Sequence, residues 1–102
     1  MSLDLANRVA LISGSGRGIG RAVALLMAER GADIVVHDID SAAATTVAKE
    51  VAALGRRVHV GVCDVRDLSA LASLVRLVEA KLGSIDVLGS GPIKGLFNPG
   101  IF

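Results

Sequence analysis

The sequence predicts an α/β fold built on a parallel sheet, because two kinds of segment alternate along the chain. Short runs of β-branched apolar residues, such as Ile34-Val35-Val36, alternate with longer stretches whose apolar residues recur at helical spacing. Hydrophobic residues make up 52% of the 102 residues, which is enough to build a core. We therefore expect the element order β-α-β-α-β-α-β.

Four strands are expected, and their patterns differ. The first lacks apolar–polar alternation, as is typical of a parallel strand that is covered on both faces. In the third, Val58, Val60 and Val62 alternate with His59, Gly61 and Cys63, which indicates a strand at an edge of the sheet or in a half-covered position. The strands are predicted at 8–13, at 33–39, at 57–64 and from 85 to 88.

Three helices are expected, each with one apolar face and a glycine just beyond its end. The first carries Ile19, Ala22, Val23, Leu26 and Met27 and ends at Gly31. The second is capped by Ser41, carries Ala44, Val47, Ala48, Val51 and Leu54, and ends at Gly55. The third begins at Asp67, carries Leu68, Leu71, Leu74, Val75, Val78 and Leu82, and ends at Gly83.

A glycine-rich segment, Ser13-Gly14-Ser15-Gly16-Arg17-Gly18-Ile19-Gly20, joins the first strand to the first helix. A dinucleotide-binding fold places its phosphates at this turn, because glycine permits a sharp bend and a close approach of the ligand to the helix N-terminal amides. The spacing is G-x-x-x-G-x-G rather than G-x-G-x-x-G, since position 19 is isoleucine. The candidate cofactor-binding residues here are Gly14, Gly16, Arg17, Gly18, Ile19 and Gly20.

Asp38 ends the second strand, 20 residues after Gly18, where a carboxylate accepts hydrogen bonds from an adenosine ribose. A 2′-phosphate about 4 Å from this carboxylate would meet a charge of the same sign, at a cost of about 1 to 4 kcal/mol. Asp38 therefore favours NAD over NADP. Ile39 rather than a second arginine follows Asp38. Arg17 leaves two interpretations open: it holds a phosphate, or it is an exposed arginine of the first helical turn.

Right-handed crossovers predict a truncated Rossmann-type sheet with the strand order 3-2-1-4 and a ligand crevice between strands one and four. The composition changes after residue 88. Residues 89–102 hold both prolines and both phenylalanines and have no acidic residue, so we expect a loop or tail there. The dinucleotide-binding domain is predicted at 1–88.

These residues resemble the short-chain dehydrogenase/reductase family, whose fingerprint at the first βα turn is T-G-x-x-x-G-x-G, with Ser13 replacing the threonine. Cys63-Asp64-Val65 is similar to the family's strand-three end, which implies that Asp64 binds the adenine amino group and the Val65 amide holds the ring. Gly83-Ser84-Ile85-Asp86-Val87-Leu88 is similar to its G-x-[IL]-D-x-L lead into strand four. The resemblance implies an NAD-dependent oxidoreductase acting on an alcohol/carbonyl pair.

The resemblance stops after residue 88, where the family has Asn-Asn-Ala-Gly and this chain has Gly89-Ser90-Gly91-Pro92. The family's catalytic serine, and its tyrosine four residues before a lysine, have no counterparts, and the chain contains no tyrosine. We therefore expect no catalytic residues and no turnover, as in a truncated or frame-shifted product or a piece of a longer dehydrogenase. The alternatives are a non-catalytic dinucleotide-binding module and, with a poorer fit, a fragment of an S-adenosylmethionine-binding methyltransferase.

The composition argues against several other partners. A net charge of +1 with interspersed signs, together with 2% aromatic residues, predicts no binding of nucleic acid or of anionic membranes. A single cysteine and the lack of a signal peptide or of an apolar run of ~20 residues predict a cytoplasmic protein. His37 and His59 lack neighbouring metal ligands, so no metal site is expected.

Cys63 is expected to be a small buried apolar residue, and strand four is expected to be an open edge of the sheet. An uncovered edge and uncovered apolar surface favour association between copies of the chain. The sequence thus predicts self-association through the open sheet edge.

Overall fold

The structure is a computed structural model that describes residues 5–64 and 66–90. The described part contains four strands and three helices in the predicted order. The elements are β1 (Val9–Ser13), α1 (Gly18–Glu29), β2 (Asp33–Asp38), α2 (Ser41–Ala53), β3 (Val58–Val62), α3 (Leu68–Lys81) and β4 (Val87–Ser90).

All the strand pairs are parallel, and the order in the sheet is β3-β2-β1-β4. β1 is central: Leu11 lies beside Val35 of β2 on one side and beside Leu88 of β4 on the other. The prediction of a Rossmann-type α/β fold on a parallel sheet is confirmed. Because the strands are parallel, all their carboxyl ends lie at one edge, where the candidate site is found.

Apolar side chains of β1 point alternately to two separate cores. Ala10 and Ile12 pack in the core under α1 and α2, whereas Val9 and Leu11 pack in the core under α3. The strand therefore buries both faces, and this explains why its apolar residues do not alternate with polar ones. The burial on both sides makes β1 the support on which the glycine-rich turn is built.

The face of α1 that packs on the sheet differs from the predicted one. Ile19 and Leu26 are 62% and 53% exposed, and the fully buried residues are Gly20, Ala24 and Ala28, which are spaced four apart. Small side chains are buried here because they let the helix axis come close to the sheet and to the loop before it. Val23 and Met27 of the predicted face do pack against the core.

The predicted faces of α2 and α3 are correct apart from one end residue in each. Leu54 and Leu68 are exposed, because they lie at the helix ends and extend past the sheet. The cap of α2 is Asp40 rather than the predicted Ser41: the Ala43 amide donates to Asp40 Oδ1 at 3.1 Å. Asp67, the predicted first residue of the third helix, is the N-cap of α3 and accepts from the Ala70 amide at 3.0 Å.

The strands differ from their predicted bounds. β2 ends at Asp38 rather than at residue 39, and β3 covers Val58–Val62 rather than 57–64, since its residues pair with Ile34–Asp38 and the partner strand then ends. β4 begins at Val87 rather than at residue 85 and includes Gly89 and Ser90, which the sequence placed in a loop or tail. Residues 91–102 of that predicted tail lie outside the described residues.

Gly61 of β3 lies against Leu74 of α3, and this contact yields a first testable prediction. A Cβ added at Gly61 would lie 2.5 Å from Leu74 Cδ2 and 2.7 Å from Cδ1. We expect Gly61→Ala to lower the free energy of unfolding by about 1 to 3 kcal/mol through overpacking, measured by urea denaturation. Leu74→Ala alone should cost about 2 to 5 kcal/mol because it leaves a cavity.

The double variant separates overpacking from a general loss of stability. The alanine methyl at position 61 would fill part of the space left at position 74, so the double variant should lose less than the sum of the two single variants. Two costs that add to within about 0.5 kcal/mol would contradict this account of the contact.

Candidate functional site

The candidate site lies at the carboxyl edge of the sheet and is formed by the turns after β1 and β2. Ser13 of β1 pairs with His37 of β2, so the glycine-rich loop and Asp38 leave the sheet side by side. The structure thus brings together two sequence-predicted parts of the site that are separated by a helix in the chain. Asp64 follows the neighbouring strand β3 at the same edge.

The glycines of the loop have different roles. Gly14 and Gly18 have φ values of 67° and 59°, in the left-handed region that favours glycine. A Cβ at Gly20 would lie 2.3 Å from the Gly14 carbonyl oxygen, so the packing of α1 on the loop requires a glycine there. A Cβ at Gly18 would meet nothing within 4 Å, so the loop surface at this position is open.

Gly16 allows the Asp38 carboxylate to approach the loop. The Gly16 amide donates to Asp38 Oδ2 at 2.9 Å, and the Asp40 amide donates to Oδ1 at 3.0 Å. A Cβ at Gly16 would lie 2.6 Å from Asp38 Oδ2, so a side chain there would displace the carboxylate. Each carboxylate oxygen has two lone pairs, so both oxygens still accept one further hydrogen bond. Asp38 is 8% exposed, and its side chain is held by two backbone amides.

Ser15 fixes the loop to β2, a role that the sequence analysis missed. Its amide donates to the His37 carbonyl at 3.0 Å, and its fully buried hydroxyl oxygen accepts from the His37 amide at 3.0 Å. Ser15 therefore continues the pairing of the two backbones beyond the end of β1. The only sequence signal is a serine between glycines, and its partner lies 22 residues away.

The N-terminus of α1 differs from those of the other two helices in the described part of the chain. Asp40 caps α2 and Asp67 caps α3, whereas the N-cap of α1, Arg17, makes no side-chain capping bond. Amides at a helix N-terminus attract anions. The glycine loop therefore leads to a helix end that suits a phosphate group.

Arg17 and Ile39 lie at the rim of the site. Arg17 is exposed, and its guanidinium forms an ion pair with Asp40. The pKa of Asp40 is lowered, first by the Ala43 amide and then by Arg17. Ile39 follows Asp38 directly and is exposed despite its large apolar side chain. Arg17 is thus exposed and paired with a carboxylate, and its role in holding a phosphate stays a prediction.

Asp64, predicted to bind adenine, is held by Arg66. The Arg66 amide donates to Asp64 Oδ1 at 2.9 Å, and Nη2 lies 2.7 Å from Oδ2. The side-chain hydrogen bond from Arg66, followed by the backbone one, lowers the pKa of Asp64 to about 2. The carboxylate is thus ionised at neutral pH. Val65, the other predicted adenine contact, lies outside the described residues.

His37 lies just below the site and is 1% exposed. Its Nε2 is 3.2 Å from Cys63 Sγ, whereas its Nδ1 is buried without a hydrogen-bond partner in the described residues. Burial lowers the pKa of His37, so the ring is neutral at pH 7. Burial, and then Asp67 and Asp64, raise the pKa of the half-buried Cys63 thiol. Cys63 therefore carries a protonated thiol of low nucleophilicity.

Within residues 5–64 and 66–90, no helix combines the length and the apolar character needed to cross a membrane. The same residues contain no group of three or more His, Cys, Asp or Glu side chains arranged to hold a metal ion.

The fold and the glycine turn define a Rossmann-type α/β domain. The chain belongs to the short-chain dehydrogenase family, whose sequence pattern matches residues 8–93. The match extends past residue 88, the boundary predicted from sequence, and includes all four strands.

Relatives and solved structures agree with this assignment. The 7α-hydroxysteroid dehydrogenase of Escherichia coli K12 is 36% identical over 96 residues, which cover 89% of this chain and 38% of that protein. A structure of 7α-hydroxysteroid dehydrogenase complexed with NADH and 7-oxo glycochenodeoxycholic acid has a TM-score of 0.80 at 37% identity, covering 85% of this chain and 34% of that one. Carveol dehydrogenase from Mycobacterium avium in complex with NAD has a TM-score of 0.79 at 35% identity, covering 82% and 35%. The chain thus spans less than two fifths of the length of these three proteins.

The buried neutral His37 predicts that stability falls in mild acid. The unfolded chain takes up a proton near pH 6.5, whereas the folded chain does so only at lower pH because burial lowers the pKa of His37. The free energy of unfolding is therefore highest above about pH 6.5 and falls as the pH decreases below it. Urea midpoints between pH 8 and pH 5.5 should show this decrease, and His37→Gln should flatten it.

His59→Gln is the matched control, since burial and then Lys81 lower the pKa of that histidine as well. The His59→Gln variant should lose the contribution of His59 to the pH dependence of stability and keep the contribution of His37. Asp64 does not contribute, because its carboxyl gains a proton only near pH 4 in the unfolded chain and near pH 2 in the folded one. An unchanged pH profile in His37→Gln would contradict the assignment.

Proposed function

We propose that this chain binds NAD(H) at the carboxyl edge of its sheet, as the cofactor-binding part of an oxidoreductase acting on an alcohol/carbonyl pair. The observation that carries the proposal is the Asp38 carboxylate, held against the Gly16 amide beside the uncapped N-terminus of α1. A carboxylate that accepts hydrogen bonds from hydroxyl groups thereby lies next to backbone amides that bind an anion. The ribose and the pyrophosphate of a dinucleotide require this arrangement.

The pyrophosphate would lie over the glycine loop. The open surface at Gly18 leaves room for a phosphate near the amides of the first turn of α1. No acidic side chain competes for those amides in that turn. The residues that we assign to this part of the cofactor are Gly14, Gly16, Gly18, Ile19 and Gly20, together with the backbone of Arg17, whose guanidinium is paired with Asp40.

The adenosine half of the cofactor would extend from Asp38 across the ends of β2 and β3. Asp38 would accept hydrogen bonds from the ribose hydroxyls through its remaining lone pairs. The exposed apolar Ile39 would provide a surface for the adenine ring, and Asp64 with Val65 would bind its edge. The bound nicotinamide would supply or take up a hydride, and the described residues would bind and orient the dinucleotide.

We propose a preference for NAD over NADP. The 2′-position of the ribose would lie near Asp38, whose carboxylate is held by two backbone amides and has no guanidinium partner among the described residues. A 2′-phosphate would meet this charge directly. The NADH and NAD complexes of the two related dehydrogenases support a nicotinamide dinucleotide as ligand.

We also propose that the chain alone does not turn over substrate. Its 102 residues include no tyrosine, and family members use a tyrosine as the acid or base at the substrate oxygen. The same observation favours a second candidate function, a non-catalytic dinucleotide-binding module. A binding titration combined with an alcohol-oxidation assay on the same sample distinguishes an enzyme from a binding module.

Removal of the Asp38 carboxylate tests the binding proposal. Calorimetric titration should give saturable NAD binding to the parent chain and weaker binding of NADP. Asp38→Asn should weaken NAD binding by about 10- to 100-fold, because hydrogen bonds to a charged acceptor are worth about 1.5 to 3 kcal/mol. Glu79→Gln, at an exposed position of α3, removes the same charge outside the loop and should leave binding unchanged.

Three results would contradict this proposal. Equal NAD affinity in the parent and in Asp38→Asn, with unchanged urea midpoints, would remove Asp38 from the site. Saturation by S-adenosylmethionine but not by NAD would point to the methyltransferase alternative. Measurable alcohol oxidation by the purified chain would disprove the proposed lack of turnover.

Self-association is the remaining proposal, and it rests on the sheet. β4 pairs with β1 and is an edge strand of the described sheet. Exposed backbone groups at such an edge pair readily with another strand. Light scattering during size-exclusion chromatography should therefore give a mass above that of one chain, and a monodisperse monomer would contradict the proposal.

A further inference from the structure

Arg17 provides a positive charge at the place where the proposed ribose site begins. It is the residue between Gly16, which binds Asp38, and Gly18, the first residue of α1. Its side chain is 68% exposed. A guanidinium binds a phosphate through paired hydrogen bonds, so this position alone would favour a cofactor with an additional phosphate.

The guanidinium of Arg17 is already paired with the carboxylate of Asp40. Asp40 Oδ1 accepts from the Ala43 amide and caps α2, while Oδ2 forms the ion pair with Arg17. The Asp40 amide in turn donates to Asp38 Oδ1. Arg17, Asp40 and Asp38 are thus connected by hydrogen bonds, and the guanidinium of Arg17 is paired with Asp40 and not with Asp38.

The carboxylate of Asp40 stays ionised, since it lies at a helix N-terminus where negative charge is favourable. The Ala43 amide is the largest cause of its lowered pKa, and Arg17 adds to it. Exposed ion pairs of this kind contribute little to folding stability. Removal of the Arg17–Asp40 pair therefore tests the discrimination between ligands without a large loss of stability.

We propose that Asp40 is a specificity-determining residue that withholds Arg17 from the 2′-phosphate of NADP. This inference rests on the proposed binding of a nicotinamide dinucleotide at Asp38. A 2′-phosphate on that ribose would approach two carboxylates, Asp38 and Asp40, and a guanidinium already neutralised by one of them. Removal of the Asp40 charge would release Arg17 and give the site affinity for NADP.

Asp40→Asn is the informative variant, because asparagine caps helices as well as aspartate does and keeps an oxygen for the Ala43 amide. Calorimetric titrations with NAD and with NADP should show at least a fivefold lower Kd for NADP than in the parent, with the Kd for NAD within twofold. Asp40→Ser, another good N-cap residue, should give the same shift and replaces Asp40→Asn if that variant is unstable.

The double variant Arg17→Gln/Asp40→Asn separates release of the arginine from simple loss of negative charge. If Arg17 binds the 2′-phosphate, the gain in NADP affinity disappears in the double variant. If the gain persists, Asp40 acts only by repulsion, and the proposed role of Arg17 is wrong.

Glu50→Gln is the matched control. Glu50 forms an exposed ion pair with Arg21, so this variant frees a guanidinium on the same two helices, one turn further from the loop. It should leave the Kd values for both cofactors unchanged. A similar gain in NADP affinity in Glu50→Gln would show a general charge effect and overturn the proposal.

The titrations also separate failure of this inference from failure of the proposed function. If the parent chain binds NAD and Asp40→Asn gains no NADP affinity, the role of Asp40 is disproved while the dinucleotide site stands. If the parent chain and all its variants bind neither cofactor, the proposed function fails and the specificity role fails with it.

Discussion

The two hydrogen bonds to the Asp38 carboxylate join the parts of the candidate site. One comes from Gly16 in the loop after β1, and the other comes from Asp40 in the turn after β2. The backbone pairing of Ser15 with His37 lies beside them and fixes the same two segments. These contacts lie within the chain, so the loop has its shape before any ligand binds. The entropic cost of ordering the loop on ligand binding is therefore lower.

Small side chains make this arrangement possible, and they also explain where sequence patterns fail. The apolar pattern of α1 predicts that Ile19 and Leu26 lie in the core. The buried residues are instead Gly20, Ala24 and Ala28, because α1 packs close to the loop and to the sheet. A hydrophobicity pattern ranks residues by apolar area, so it does not recognise a helix face that is buried because it is small. The faces of α2 and α3, which pack larger side chains, follow the pattern except at Leu54 and Leu68.

Sequence patterns likewise predict some residues of the candidate site and miss others. Glycine spacing and a carboxylate at a strand end are local signals, and they place Gly14 to Gly20 and Asp38 at one edge of the sheet. The contributions of Ser15 and Asp40 depend on partners 22 and 23 residues away, His37 and Arg17, and no local pattern contains such pairs. Asp64 is a different case: its guanidinium partner Arg66 is close in sequence, but the pairing is identified only by the geometry of the turn.

Asp38 differs from the carboxylates at the amino edge of the sheet, and this contrast bears on the chemistry of the site. At the amino edge, Asp33 is paired with Arg57 and Asp86 with Arg8, so their charges are balanced by guanidinium groups. At the carboxyl edge, Asp38 is held by amides, which orient it without neutralising it. A carboxylate that is oriented but not neutralised retains its attraction for hydroxyl donors and its repulsion of phosphate. Both properties follow from the absence of a side chain at Gly16, because any other residue there would push the Asp38 carboxylate away from the amide that holds it.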